Sequence, residues 1–272
     1  DRQIKAEEDA LGKPRFLLND KSEAHHVDAI GVDEASMVDR RVGEDLATFR
    51  AKLIAIYDSF QLPPVMGGGY FLDRPADIRL TQIHRQGQLS GILQLATDLR
   101  EGKWWRVGQY EDDCEVVFKK DPRNLERIIA ADQVIVGRNE TRHRVNYDVR
   151  LALGFTKALP VVGDKVVCTK NDHDLGLLNG SMWRVMRVDG VVDRKVEMVV
   201  RPLDDTGAGD TFVNAWCSIF EHHVEPPGYE VREGSCFDFG YALTVHKAQG
   251  SQWGSVFMVE EGEFMGQEMW PR

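Results

Sequence analysis

The chain has 272 residues, of which 42% are hydrophobic and 29% charged, with a formal net charge of −10 at neutral pH. That length predicts two domains with substantial cores, and no run of about 18 apolar residues marks a membrane helix. The negative balance weighs against broad nucleic-acid binding but leaves room for a local basic groove, such as Arg138 to Arg150 (RNETRHRVNYDVR).

Cys114, Cys168, Cys217 and Cys236 are widely spaced and form no C-x-x-C pair, which predicts reduced thiols in a cytosolic protein. The adjacent pairs His25-His26 and His222-His223 come without zinc-ligand spacing, so no metal site is expected from them. The N-terminus, DRQIKAEEDALGKPRF, is charged throughout and unlike a secretory signal. It has no initiator Met, and the expectation is a chain that starts inside a longer gene.

In chain order, residues 1–26 read as a solvated lead-in with at most one short helix. His25 to Val32 reads as a strand that ends in Asp33-Glu34. Val38 to Phe49 has helical spacing, with Val42, Leu46 and Phe49 on one face. Ala51 to Tyr57 is the short apolar run of a buried parallel strand, and it delivers Asp58 at its end. Two strands joined by a helix, each ending in acids, predict a βαβ unit. Gln61-Leu62-Pro63-Pro64 is a loop, because the prolines remove backbone donors. A short strand is expected over Ile78 to Thr81, then an amphipathic helix over Leu89 to Arg100 closed by Gly102.

Gln133 to Gly137 is a further buried strand, followed by a basic helix from Glu140 to Leu153. From Gly163 the character changes. Lys165 to Thr169, Trp183 to Val188 and Lys195 to Arg201 read as short strands between turns, a small β-barrel pattern. The α/β character returns at Phe237, where Phe237, Phe239, Tyr241, Leu243 and Val245 alternate like one half-buried strand ending at His246. Beyond it, Thr244, His246, Lys247, Gln249 and Gly250 gather polar groups where a strand gives way to a loop or helix. In open α/β sheets ligands bind at such places.

The acids after the first strand suit nucleotide chemistry: one carboxylate can hold magnesium while the next polarises an attacking water. Gln61 could orient water beside a γ-phosphate, and Arg85 could stabilise a transferring phosphoryl group. Trp104-Trp105 could stack bases, but the acids that follow at 111–113 favour a surface or packing role.

Together, VDEASMVD, DSFQLPPV, LTQIHRQ, QVIVGRNETRHRVN, GDKVVCTKND with LLNGS, and YALTVHKAQGSQW stand in an order that resembles a superfamily 1 5′-to-3′ DNA helicase of the RecD and Dda group, from about Val27 to Val259. The resemblance implies an α/β fold of two RecA-like P-loop NTPase lobes, the first truncated, with a small SH3-like β-barrel inserted in the second. The first lobe would occupy 1–100, the second 101–170 and 236–272, and the insert 171–235. It implies ATP and Mg2+ as cofactors, with Asp33 as the magnesium ligand, Glu34 as the catalytic base, and Gln61 and Arg85 contacting the γ-phosphate. Gln249, Gly250 and Gln252 would face the nucleotide from the second lobe. Thr244, His246, Lys247, Arg138 and Asn139 would hold single-stranded DNA. Single-stranded and duplex-fork DNA would be the partners, together with replication or repair proteins. The location would be the cytoplasm of a bacterial or phage-infected cell.

The sequence departs from that pattern in places. Tyr57 stands where a glycine usually precedes the aspartate, and Gln252 where many relatives place a glutamate. No G-x-x-x-x-G-K-[ST] occurs, nor a final T-R-A segment, and a fragment of a longer gene is the expectation. Two other classes compete: a catalytically silent nucleic-acid-binding module, and a ribokinase-type sugar kinase. The latter is suggested by Asp204 to Phe212 (DDTGAGDTF), with Asp210 as base.

Overall fold

The computed structural model describes residues 2–8, 14–19, 21–64, 68–80, 90–203, 209–227 and 233–261. These fall into two compact units, one reaching to Phe118 and one running from Lys119 to Glu261. No helix among the described residues is long and apolar enough to cross a membrane.

The first unit opens with a hairpin where the sequence suggested a lead-in: β1 (Arg2–Glu8) pairs antiparallel with β2 (Pro14–Leu18). β1 (RQIKAEE) is mostly polar, whereas β2 (PRFLL) carries Phe16, Leu17 and Leu18, an apolar run that the lead-in reading passed over. A ladder of backbone bonds joins the two. After a 3₁₀ turn at Glu23–His25 comes β3 (Ala29–Val32), then α1 (Arg40–Thr48) and β4 (Lys52–Ala55). Helix α1 starts where Asp39 accepts the Val42 N–H at 2.8 Å, an N-cap that satisfies one orphan donor. Strands β3 and β4 pair in parallel, Ala29 with Lys52 through Val32 with Ala55, which is the expected βαβ unit, but β4 is not the buried strand expected: Ile54 is 56% exposed.

Residues 78–80 form no strand, and Ile78 and Leu80 are 82% and 89% exposed. The apolar alternation there has no described neighbour to pair with. Helix α2 (Gly91–Arg100) follows, capped by Ser90. It packs against the hairpin of β5 (Gly108–Tyr110) and β6 (Cys114–Val116). A Cβ on Gly91 would lie 1.8 Å from the Tyr110 carbonyl oxygen, so only glycine permits this approach. Asp113 accepts hydrogen bonds from Ser90 Oγ at 2.6 Å and Gly91 N at 2.7 Å. These contacts keep residues 101–118 with the first unit rather than the second.

The second unit begins with α3 (Asn124–Ala130), β7 (Gln133–Val136) and α4 (Asn139–Ala152). An antiparallel sheet follows, built from β8 (Lys165–Cys168), β9 (Met182–Val192), β10 (Lys195–Pro202) and β11 (Thr211–Trp216). The β9–β10 turn uses Asp193 and Arg194, both at positive φ, which matches the twist of a tight hairpin. After α5 (Cys217–His222), β12 (Phe237–Phe239) joins the same sheet beside β8, giving the order β11-β10-β9-β8-β12. This sheet therefore draws in segments on both sides of 171–235. Its core holds Val166, Val185, Met198, Val200, Val213 and Phe237.

The alternation from Phe237 to Val245 is not one strand. Strand β12 pairs antiparallel with β8, whereas β13 (Ala242–Thr244) pairs in parallel with β7 and passes into α6 (Val245–Ala248). With β14 (Val256–Met258) on the other side of β7, the second sheet has the order β13-β7-β14. The chain changes sheets at Gly240-Tyr241. A Cβ on Gly240 would meet the Val166 carbonyl carbon at 3.0 Å and Met182 Cε at 2.7 Å, so the crossing needs glycine. All six residues of β12 and β13 are buried, not half-buried.

Helix α4 holds this crossing with a polar stripe at i, i+4 and i+8. Arg142 pairs with Asp238 at 2.7 Å. Asn146 donates to the Phe239 carbonyl at 3.0 Å and accepts the Ala242 N–H at 2.8 Å. Arg150 bonds Asp164 through Nε and the terminal nitrogen at 2.9 and 3.0 Å, and lies 3.9 Å over the Phe239 ring. The basic helix thus turns two of its arginines inward rather than to solvent.

Candidate nucleotide and nucleic-acid site

In the first unit the predicted acids stand at the carboxyl end of the parallel pair. The Ile56 N–H donates to the Val32 carbonyl and the Ala35 N–H to the Ile56 carbonyl, so the loops after β3 and β4 leave side by side. Asp33 and Glu34 are exposed there, and Asp33 Oδ1 accepts the Glu34 N–H at 2.9 Å. Glu34 adopts a left-handed backbone (φ 51°), an uncommon state for a non-glycine residue that concentrates at functional sites. Ala35 and Ser36 behind it are buried and fix the turn.

In the loop after β4, Asp58 caps its own turn through the Phe60 N–H at 3.0 Å and pairs with Arg100 at 2.5 Å. Its carbonyl accepts the Gln61 N–H at 3.1 Å, which places Gln61 in the same end-of-sheet loop as Asp58. Arg85 lies outside the described residues. A hollow of about 580 Å³ lined by His25, Asp28, Arg50 and Lys52 lies instead at the amino ends of β3 and β4, away from the acids.

In the second unit the parallel register, Thr244 with Val136 and Met258 with Ile135, brings three strand ends to one edge. Thr244, His246 and Lys247 leave β13 there, and Arg138 and Asn139 leave β7. Thr244 is buried, His246 half-buried and Lys247 exposed. Gln249, Gly250 (φ 80°) and Gln252 follow in the next loop.

Arg138 is already engaged: its Nε donates to Glu261 at 3.2 Å, and Glu261 also accepts the N–H groups of Gly137 and Arg138 at 2.6 and 3.0 Å. Thr141 Oγ1 donates to the same carboxylate. Burial acts to raise the Glu261 pKa, but the bonds from Thr141, Gly137 and Arg138 outweigh it and hold the carboxyl below its ordinary value. A carboxylate at the N-terminus of α4 also meets the positive end of the helix dipole. Nothing in the local sequence signalled this contact, which spans more than a hundred residues. Asn139 accepts from Arg142 Nε at 3.1 Å.

The polar stripe on α4 was legible only as spacing: Arg142, Asn146 and Arg150 recur every fourth residue. Asp210, the base of the sugar-kinase alternative, instead pairs with Arg201 at 2.6 Å across the ends of β10 and β11, while 204–208 lie outside the described residues. Trp104 is 73% exposed and meets Trp105 edge-on at 5.8 Å, in keeping with a surface role.

Residues 6–120 match the family model described as an AAA domain. The chain is 28% identical to the ATP-dependent RecD2 DNA helicase of Deinococcus radiodurans, over 90% of this chain and 34% of that protein. The chain therefore spans about a third of the length of this curated relative. Among solved structures, it resembles the Candida albicans Pif1 helicase with a TM-score of 0.55 and 19% identity, covering 86% of this chain and 66% of the other. It also resembles a Bacteroides Pif1 helicase in complex with ADP-AlF3 and ssDNA, with a TM-score of 0.55 and 17% identity, covering 90% and 68%. At these identities the structures support the mixed α/β fold, and the sequence match supports kinship. In sequence and fold the chain resembles the superfamily 1 DNA helicases of the RecD- and Pif1-like kind.

Proposed function

We propose that this chain is the motor region of an ATP-dependent DNA helicase that couples hydrolysis to 5′-to-3′ movement along single-stranded DNA and to unwinding at forks. The observation that carries the reading is positional. The acid-bearing loops and the T-x-H-K segment each leave the carboxyl end of a parallel sheet, where α/β proteins bind ligands. The two units would be RecA-like lobes dividing near residue 118, with the antiparallel sheet as an SH3-like insert in the second. Action in the cytoplasm is in keeping with four free cysteines.

An exposed, all-oxygen donor set at Asp33 and Glu34 fits a hydrated magnesium ion carrying a nucleotide. Asp33 would hold the metal through water, and the metal would neutralise phosphate charge. Glu34 would take the proton of the attacking water, and Gln61 would orient that water. Arg85, and Gln249, Gly250 and Gln252 on the second unit, would contact the nucleotide. Thr244, His246 and Lys247, with Asn139 nearby, would grip the strand through phosphates rather than base edges. Arg138 would act with Glu261 to fix the start of α4.

The test is Glu34→Gln in a full-length protein that carries this chain. The amide keeps the shape and removes the base, so ATP and single-strand binding should persist. DNA-stimulated hydrolysis should fall by roughly 10²–10⁴-fold. Unchanged turnover would reduce Glu34 to a surface acid and remove the reading's centre.

A further inference from the structure

Near the T-x-H-K segment, four elements of the second unit converge on a cluster that the motif reading does not use. His143 of α4 and His223 at the end of α5 stack with ring centroids 3.4 Å apart and planes 26° apart. With Asp238 of β12, their ligand atoms lie within 4.8 Å of one another. Arg142 of α4 and Lys247 of α6 add positive charge that acts on His143.

A divalent metal fits this group poorly. Nearly parallel rings direct their nitrogen lone pairs in parallel planes rather than toward one point. Asp238 already accepts from Arg142 at 2.7 Å and from the Phe239 N–H at 2.8 Å. A cation would also face Arg142 and Lys247.

The hydrogen bonding points to an anion instead. The Arg142 terminal nitrogen lies 3.3 Å from His143 Nε2. A guanidinium only donates, so this contact assigns the lone pair to Nε2 and the proton to Nδ1. His143 Nδ1 is buried and has no hydrogen-bond partner among the described residues. The absent partner is therefore an acceptor, and Arg142 and Lys247, set against the Asp238 carboxylate, favour a negative one. His223 is exposed and holds the left-handed cap of α5 (φ 56°), a state uncommon outside glycine that histidine enters more readily than most side chains. Its ring is the outer member of the stack and covers His143.

We infer that His143 and His223 form a phosphate subsite for single-stranded nucleic acid, in which His143 Nδ1 donates to the phosphate and His223, moving off the His143 ring, takes up a proton as the phosphate enters. This rests on the helicase reading above, since Lys247 and Thr244 would hold the neighbouring phosphates.

Both imidazoles are disposed to respond. Burial first, then the Arg142 charge and His223, lower the His143 pKa to about 4, with Lys247 adding to them and Asp238 opposing. Burial likewise lowers His223, with Asp238 opposing and Arg142 and His222 adding. Partial burial and Arg142 lower the Lys247 ammonium, while Asp238 and Glu225 oppose. Burial, the largest cause, still opposes protonation, but a phosphate beside the rings outweighs the Arg142 repulsion and raises the His223 pKa. Affinity must then rise as pH falls from the bound-state value toward the free one.

The experiment measures binding of a fluorescent oligo-dT to the 272-residue chain at constant ionic strength from pH 7.5 to 5.5. One proton taken up against an ordinary histidine value near 6.5 predicts about tenfold tighter binding at pH 5.5. His143→Asn and His223→Gly should each weaken that dependence, and the double variant should abolish it. Glycine suits the left-handed cap, so His223→Gly should melt no lower than the parent. An equal pH slope in the parent and the double variant would overturn the subsite while leaving the helicase reading standing. No binding by the parent at any pH would overturn both. Inorganic phosphate at matched concentration is the control. Shifts of the His143 ring signals with phosphate but not with oligo-dT would assign the site to a free anion and overturn the nucleic-acid assignment.

Discussion

Replacing Asp164 with alanine tests the claim that α4 clamps the sheet crossing. Asp164 is fully buried and Arg150 nearly so, at 0% and 5% side-chain exposure. The substitution removes the acceptor of four hydrogen bonds: two from Arg150, one from the Val161 N–H at 2.8 Å and one from Tyr241 Oη at 3.0 Å. Arg150 keeps the carbonyls of Lys157 and Leu159 and the Phe239 ring, but these leave its charge uncompensated. Breaking a buried pair from one side costs about 3–5 kcal/mol. For a unit of this size about 1 kcal/mol moves the melting temperature by roughly 2–4 °C, so a fall on the order of 10 °C is expected. Urea unfolding followed by near-ultraviolet circular dichroism measures it, since Trp183 and Trp216 are buried in the same unit. The double variant Asp164→Leu with Arg150→Met removes both charges and should recover part of the loss, since the Val161 N–H, the Tyr241 hydroxyl and the Lys157 and Leu159 carbonyls still lose their partners. A loss under about 1 kcal/mol for Asp164→Ala, or no recovery in the double variant, would refute the clamp.

Gly240→Ala should destabilise the second unit by about 1–3 kcal/mol, because its Cβ meets backbone at Val166 and the Met182 tip; an unchanged urea midpoint would show that the crossing has room. Glu261→Gln should lower stability at neutral pH but not in acid. The folded carboxyl titrates below its ordinary 4.5, so its contribution is present above that value and lost as pH falls through the folded one. Melting curves at pH 7 and in acid should therefore differ between parent and variant only at pH 7.

Local pattern carried most of the regular elements. The βαβ unit, α2, β7, α4 and the strands β8, β9 and β10 of the antiparallel sheet follow from periodicity, capping and turn residues, which act within a few positions. What escaped was decided by contacts distant in sequence. Alternation from Phe237 to Val245 reads as one strand because period 2 cannot show that Gly240 switches partners from β8 to β7. The lead-in reads as coil because charged β1 masks the short apolar run Phe16-Leu17-Leu18 of β2, and their antiparallel pairing is not visible in either segment alone. At the candidate site, Asp33, Glu34, Gln61, Thr244, His246 and Lys247 were legible because loops at strand ends collect polar residues. Glu261 was not, since a buried carboxylate on a distant helix start has no signature in its own neighbourhood.

Adjacent residues of α4 do opposite jobs, and this bears on what can move. Side chains one apart on a helix point about 100° from each other, so Arg142 faces the interior while His143 turns to the α5 end. The Arg142–Asp238 and Arg150–Asp164 pairs tie α4 to β12 and to the residue before β8, and Asn146 holds both sides of Gly240-Tyr241. A shift of α4 against β12 would break buried ion pairs. Displacing the His223 ring gives up an exposed ring stack. If the phosphate subsite operates as proposed, the part that moves near the T-x-H-K segment is the His223 ring, while the buried ion pairs of α4 hold the sheet edge beneath it.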